Sequence, residues 1–315
     1  MNVDKQVEKD IVESVLNRLI EQGILNTGSS SGPDIKSEIK PEIKNDRSKP
    51  HNVKIDVKID AENEPVTLEP LETIGVKNPH NLEALKMMRK SSPARILMGR
   101  CGARQRTSSL LNFLADHAAA VDAVFKDVSD ECLEQNNLFN VQTVVNDKDE
   151  YLMRPDLGKK LNEAAKKTIL DNCEKGVQVQ IIVVDGLSST SIEANIADVI
   201  PALIQGLKTE GINVGKPFFI KYGRVGVMDD VGPLLNCDVV VEFIGERPGL
   251  ITAESMSAYM AYRPNQDMVE AERTVISNIH KGGTPPTEAG AHMATVVKQI
   301  LKHKTAGIKL SELLK

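Results

Sequence analysis

Apolar residues recur with two different periods along this chain, and the change of period divides it. Near the start, Val3, Val7, Ile11, Val15 and Leu19 return every fourth residue. Val12, Leu16 and Ile20 widen the same stripe, which predicts an amphipathic helix within residues 1–22 ending at Gly23. The next segment, residues 23–69, carries "NTGSSSGPDIKSEIKPEIKNDRSKP", with few apolar side chains and no aromatic ring. Such a composition cannot offset its ordering entropy by burial, so it reads as a flexible charged linker. Within it Val53, Ile55, Val57 and Ile59 alternate with charged residues, as in a half-buried strand.

Residues 70–150 read as a mainly helical N-terminal domain: a short helix before Pro93, a long helix over 107–128, and a strand near 141–145. In the long helix Leu110, Leu111, Leu114, Ala118, Val121, Val124 and Phe125 are expected to form the inner face. In residues 151–315 the two periods alternate. Helices are expected at 158–173, 191–208, 229–235 and 287–302, and strands at 177–184, 217–222 and 238–244. "VQVQIIVV" ends in an apolar run of the kind buried on both sides of a sheet. Alternation of this kind predicts an α/β fold: a mainly parallel, Rossmann-like sheet with flanking helices.

Composition narrows the class. Hydrophobic residues make up 41% and charged residues 26% of 315, the balance of an ordinary globular protein. There is neither a run long enough for a membrane span nor a secretory leader, so no membrane partner is expected. The net charge of −5 and the lack of a basic cluster interleaved with aromatics argue against nucleic acid. Cys101, Cys132, Cys173 and Cys237 form no CxxC pair, and reduced thiols are expected.

In open α/β sheets ligands bind beyond the carboxyl ends of the strands. Three predicted strand exits are short and largely polar: Asp185-Gly186-Leu187-Ser188, Gly223-Arg224-Val225 and Gly245-Glu246-Arg247-Pro248. If the strands are parallel, all three emerge on one edge and form a binding surface; ordinary turn chemistry is the alternative. GxGxxG, the P-loop and HExxH are absent, and Ser188 lacks the G-x-S-x-G elbow and is expected to be a helix cap. From the residues alone the chain is an α/β ligand-binding subunit with an addressed N-terminus. A non-catalytic cofactor-binding or regulatory subunit of another complex remains open.

The stretches "MGRCGARQRT", "LADHAAAVDAV", "YLMRPDLGKKL", "KPFFIKYGRVGVMDD", "GERPGL", "ERTVISNIHKGGTPP" and "TAGIKL", in that order from about residue 70 onward, resemble the ethanolamine ammonia-lyase small subunit family. The resemblance implies one subunit of a lyase that splits ethanolamine into acetaldehyde and ammonia by radical chemistry. Adenosylcobalamin would lie between this subunit and a large TIM-barrel subunit that holds the substrate. The family's cobalamin contacts map onto Val225, Glu246 and Val275. No catalytic residue and no metal ligand is carried over to this chain. A D-x-H-x-x-G motif is absent, which fits a cofactor that keeps its own benzimidazole on cobalt. The N-terminal helix and linker resemble signals that bring enzymes to the shell proteins of bacterial microcompartments, the expected location.

Overall fold

The computed structural model describes residues 74–315. The helix and linker expected in residues 1–69, with the strand near 53–59, lie outside them. Helix α1 (Leu82–Lys90) starts where Asn81 accepts the Ala84 N–H at 2.9 Å. Strands β1 (Arg100–Cys101) and β2 (Arg104–Gln105) form a small antiparallel ladder leading into α2 (Thr107–Phe125). A short α3 (Asp130–Gln135), which the periodicity had not indicated, precedes β3 (Phe139–Gln142).

The α/β alternation then proceeds as α4 (Lys148–Met153), α5 (Glu163–Asn172), β4 (Val179–Val184) and α6 (Ser189–Thr209). It continues with β5 (Phe218–Lys221), α7 (Met228–Leu235) and β6 (Val239–Gly245). Two strands not foreseen follow, β7 (Met256–Tyr262) and β8 (Thr274–Ile279), then α8 (Pro286–His303) and a further helix α9 (Gly307–Leu313). β7 (MSAYMAY) is largely apolar but follows β6 with no helix between them, so the helix–strand alternation did not announce it, and β8 (TVISNI) is half polar.

The six strands lie in the order β3-β5-β4-β6-β7-β8. β3, β5, β4 and β6 are parallel; β7 runs antiparallel to β6, and β8 antiparallel to β7. The fold is therefore α/β with a mainly parallel centre, as the alternation predicts. Every residue of β4 and β6 is buried, because helices cover both faces there. On one face Ile192, Ile196, Val199 and Leu203 of α6 pack with Met293 and Val297 of α8 against Ile181, Val183, Val241 and Phe243. On the other, Ile169 of α5 and Met228, Val231 and Leu235 of α7 pack against Ile182, Val184, Phe218 and Val240.

Beyond β6 that second face changes character. Met256, Ala258 and Met260 of β7 point into the first core, whereas Tyr259 is only half-buried on the opposite face. Val275, its partner on β8, is 42% exposed, and Ser277 is exposed too. The sheet thus presents an open strip beside α7.

The long helix corrects an expectation. Leu110, Leu111, Leu114, Val121 and Phe125 are not its inner face; they are 39–53% exposed. At 3.6 residues per turn these five cover about 100° of the helix, all on one side. The buried positions Asn112 and Ala123 lie on the other. There Asp116 pairs with Arg95, whose Nη2 also donates to Leu250 O at 3.0 Å, beyond the end of β6. The periodicity gave the helix correctly, but the polar side faces the body.

Candidate cofactor site at the carboxyl edge of the sheet

The three strand exits meet because their backbones leave no room for side chains. A Cβ on Gly245 would lie 2.2 Å from Ser188 O, and one on Gly186 2.3 Å from Gly245 O. Gly186 also has φ +59°, a conformation glycine adopts without strain. The Leu187 N–H donates to Gly245 O at 3.0 Å, joining the exits of β4 and β6.

Asp185 joins β4 to β5. Its Oδ2 accepts the Tyr222 N–H at 2.8 Å, and its Oδ1 accepts those of Gly223 and Gly186 at 3.1 and 2.9 Å. Burial pushes this carboxyl up to about 6; the nearby Lys148 charge and the three N–H donors hold it back. Lys148 Nζ lies 5.3 and 5.5 Å from the ring centres of Tyr151 and Tyr222, and burial lowers its pKa. Ser188 is the expected cap of α6: its Oγ accepts the Ser191 N–H at 3.2 Å and donates to Ala253 O.

Between the exits lies a cavity of 260 Å³ lined by Arg224, Val225, Gly245, Glu246, Ser257 and Tyr259, among others. Arg224 is held firmly. Its guanidinium carbon sits 4.0 Å from the centre of the Tyr151 ring, and its Nη2 donates to Tyr151 O at 3.0 Å. A Cβ on Gly158 would lie 2.7 Å from Arg224 Cγ, so a glycine there admits the stem. Tyr151 is itself buried and donates to Gly223 O at 2.9 Å. Arg224 Nε is buried without a hydrogen-bond partner.

Glu246 forms the opposite, acceptor side. Its Oε1 accepts Ser257 Oγ–H at 2.6 Å and the Asn278 N–H at 2.9 Å, and its Oε2 accepts Ser255 Oγ–H at 2.7 Å. Partial burial opposes ionisation, but the Asn278 N–H and the Ser257 and Ser255 hydroxyls outweigh it and hold the carboxyl below its usual range. An ionised carboxylate offers about four lone-pair sites, so roughly one remains on Oε2.

The tertiary structure therefore brings Val225 and Glu246 into one cavity. Val275 does not line it. It stands in a row with Tyr259 of β7 and Glu242 of β6, on the open strip, three positions further from the edge than Gly245 on β6. Glu242 is fully buried beneath that row, and burial raises its pKa well above the ordinary value. Arg273, just ahead of β8, pairs with Asp229 of α7 at 2.6 Å and fixes the strip against the helix. Tyr259 and the donors to Glu246 had not been singled out from the sequence. Arg224 sits inside an exit motif, but Ser257 belongs to β7 and Ser255 immediately precedes it, and the pattern did not reveal that strand. Among the described residues no cluster of three or more His, Cys, Asp or Glu could hold a metal ion, and no helix is long and apolar enough to cross a membrane.

Comparison with known proteins turns this geometry into an identity. Residues 82–311 match the model of the family described as ethanolamine ammonia-lyase light chain (EutC). The chain belongs to that family. It is 53% identical over 235 residues to the ethanolamine ammonia-lyase small subunit of Clostridium tetani, covering 75% of this chain and 80% of that one. It is 52% identical over 235 residues to the Clostridioides difficile small subunit, again 75% and 80% of the two chains. The Fusobacterium nucleatum small subunit is 50% identical over 243 residues, 77% and 82% of the two chains. The matched region begins at α1 and contains the whole cavity. As a member of the ethanolamine ammonia-lyase light chain family, the chain is a subunit of an ammonia-lyase, and a small subunit implies a large one beside it.

Proposed function

We propose that this subunit completes the adenosylcobalamin site of an enzyme that converts ethanolamine to acetaldehyde and ammonia, against a large TIM-barrel subunit that holds the substrate. One observation carries the reading: Val225 and Glu246, mapped by family resemblance as cobalamin contacts, share a cavity at the carboxyl edge, where α/β sheets bind ligands. The residues suit the group. The corrin rim bears carboxamides, and Glu246 retains an acceptor site for one N–H. The cavity takes a side group, while the open strip of β7 and β8 beside it, with Tyr259 and Val275, suits a broad apolar face.

Bound adenosylcobalamin supplies the radical chemistry that protein side chains lack. The work of this chain is placement: Glu246 and Val225 bind and orient, and the closed backbone of the three exits keeps water from that side. Catalytic groups are assigned to the partner. The outward apolar stripe of α2 is the surface a partner would cover, since its inward Asp116 is tied through Arg95 to the loop after β6 and so lies beside the site. Residues 1–22 serve as the address that brings the complex to microcompartment shell proteins.

Co-expression of both subunits, followed by an ammonia-release assay, tests the reading. Release is expected only with ethanolamine, adenosylcobalamin and both chains present. Turnover without the cofactor, or by this chain alone, overturns it.

A further inference from the structure

We infer that Lys148 is a positioning residue: its ammonium supplies the positive charge that the Asp185 carboxylate needs in order to fasten the exit of β4 to the exit of β5. Lys148 is the first residue of α4. A cation is disfavoured at that end of a helix, where the unpaired backbone N–H groups already carry positive charge. Its Nζ is buried with no hydrogen-bond partner, and no ion pair within 4.0 Å includes it among the described residues. The ring centres of Tyr151 and Tyr222 lie 5.3 and 5.5 Å from it in place of solvent. A charge so poorly served by its own helix and by hydrogen bonds is held there for an interaction beyond both.

That interaction is with Asp185. Lys148 opposes the effect of burial on the Asp185 carboxyl, and Asp185 does the same for the ammonium. The other charged and titratable groups around the pair have partners of their own. Tyr151 of α4 donates to Gly223 O, and Arg224 of the β5 exit lies against the Tyr151 ring. Lys221 of β5 pairs with Asp127 at 2.8 Å, and its Nζ lies 4.9 Å from the centre of the Tyr222 ring. On β6, burial favours the protonated form of Glu242, and Glu246 accepts from Ser255, Ser257 and the Asn278 N–H. The start of α6 brings Ser188 and Ser189, which do not titrate. Lys148 is the cation that acts most strongly on Asp185.

The charge decides what the carboxyl can hold. Ionised, Asp185 is an acceptor only, and it serves Tyr222 on Oδ2 and Gly223 and Gly186 on Oδ1. A proton on Oδ2 would turn an O–H toward the Tyr222 N–H, donor against donor. Tyr222 is poorly placed to lose that bond, because its φ of +57° is a left-handed conformation that a side chain disfavours. Its turn sets the direction of Gly223, Arg224 and Val225. Burial makes the protonated acid the more stable form for the fold, whereas the exit takes its shape from the carboxylate, and Lys148 tips that conflict toward the site. The last step rests on the cobalamin reading: Val225 is presented to the cofactor while Asp185 is charged.

The test uses the co-expressed two-subunit complex between about pH 5 and pH 9. Infrared difference spectra follow the carboxyl band that Asp185→Asn removes, and cyanocobalamin titrations at the same pH values follow the site. In the unaltered complex the band and the affinity are expected to change together near pH 6. Lys148→Met, which keeps the stem and removes the charge, is expected to raise both midpoints by roughly 1–2 pH units and to weaken binding roughly 3–10-fold at about pH 7. Lys148→Arg is expected to keep both midpoints near those of the unaltered complex. A lysine that only packs would lower affinity equally at every pH, so unmoved midpoints in Lys148→Met overturn the inference. Should Lys148→Met fail to assemble, recovery at about pH 9, where Asp185 is ionised whatever stands at position 148, supports the pairing, and failure there as well overturns it. If the unaltered complex does not bind cyanocobalamin, the cobalamin reading falls, while the infrared midpoints still decide the role of Lys148.

Discussion

At Asp185 two demands oppose each other. The carboxylate is the only group that can accept three backbone N–H bonds from the β4 and β5 exits, yet it is fully buried, where a charge is disfavoured. Burial wins, and the carboxyl is pushed up to about 6. An acid whose folded pKa exceeds its unfolded value of about 3.9 holds its proton more tightly in the fold. Its stabilising contribution is thus present below about pH 4 and is lost as pH rises to about 6. The stability of the parent relative to Asp185→Asn is therefore expected to fall by about 1–3 kcal/mol between pH 4 and 7. Denaturant titrations of both proteins across that range check this; a constant difference would show that Asp185 does not titrate there. Glu246 behaves in the opposite sense: its donors favour the charge and keep it ready as an acceptor at neutral pH.

At the scale of elements, α2 carries the sharpest contrast between pattern and packing. The stripe of Leu110, Leu114, Val121 and Phe125 has the spacing of a core face, and the helix forms where that spacing predicts. Its orientation is set instead by Asp116 and Asn112, which face the body. An apolar stripe that the described residues leave open suits cover by the large subunit. Leu114→Glu and Phe125→Glu together are expected to leave the melting temperature of the isolated chain within a few degrees. They should lower retention of the large subunit on an affinity column at least tenfold. If the double variant instead melts far lower alone, the stripe is core; if it binds normally, the partner docks elsewhere. By contrast, the packing of α6 on α8 is fixed within the chain. A Cβ on Gly290 would lie 2.6 Å from Val199 O, so Gly290→Ala is expected to cost about 1–3 kcal/mol, measured by denaturation.

At the scale of the molecule, residues 1–22 carry an apolar stripe, and about sixty residues separate it from the matched family region, which begins at residue 82. A helix formed on that stripe would be marginal alone and would gain stability by docking its face on a partner. Deleting residues 1–22 is expected to leave assembly and turnover unchanged while abolishing entry into shells, followed by fluorescence of a tagged enzyme. Loss of turnover in solution would make the segment structural, and continued entry would remove its role as an address.

Local order was legible in the chain because it rests on local physics. The buried run of β4, the turn glycines of the exits and the cap at Ser188 are dictated by neighbours in sequence, and they located the edge on which the cavity opens. The family motifs likewise pointed to Val225 and Glu246. What the tertiary structure alone decided is long-range. β7 and β8 pair antiparallel at the sheet edge and deliver Ser255, Ser257 and Asn278 to Glu246. Tyr151, 73 positions before Arg224, holds that guanidinium in place. The side of α2 that meets the body depends on Arg95, which pairs with Asp116 and is itself held by Leu250 O, 155 positions further along the chain. A periodicity gives the faces of an element, but only the packed neighbours decide which face turns inward.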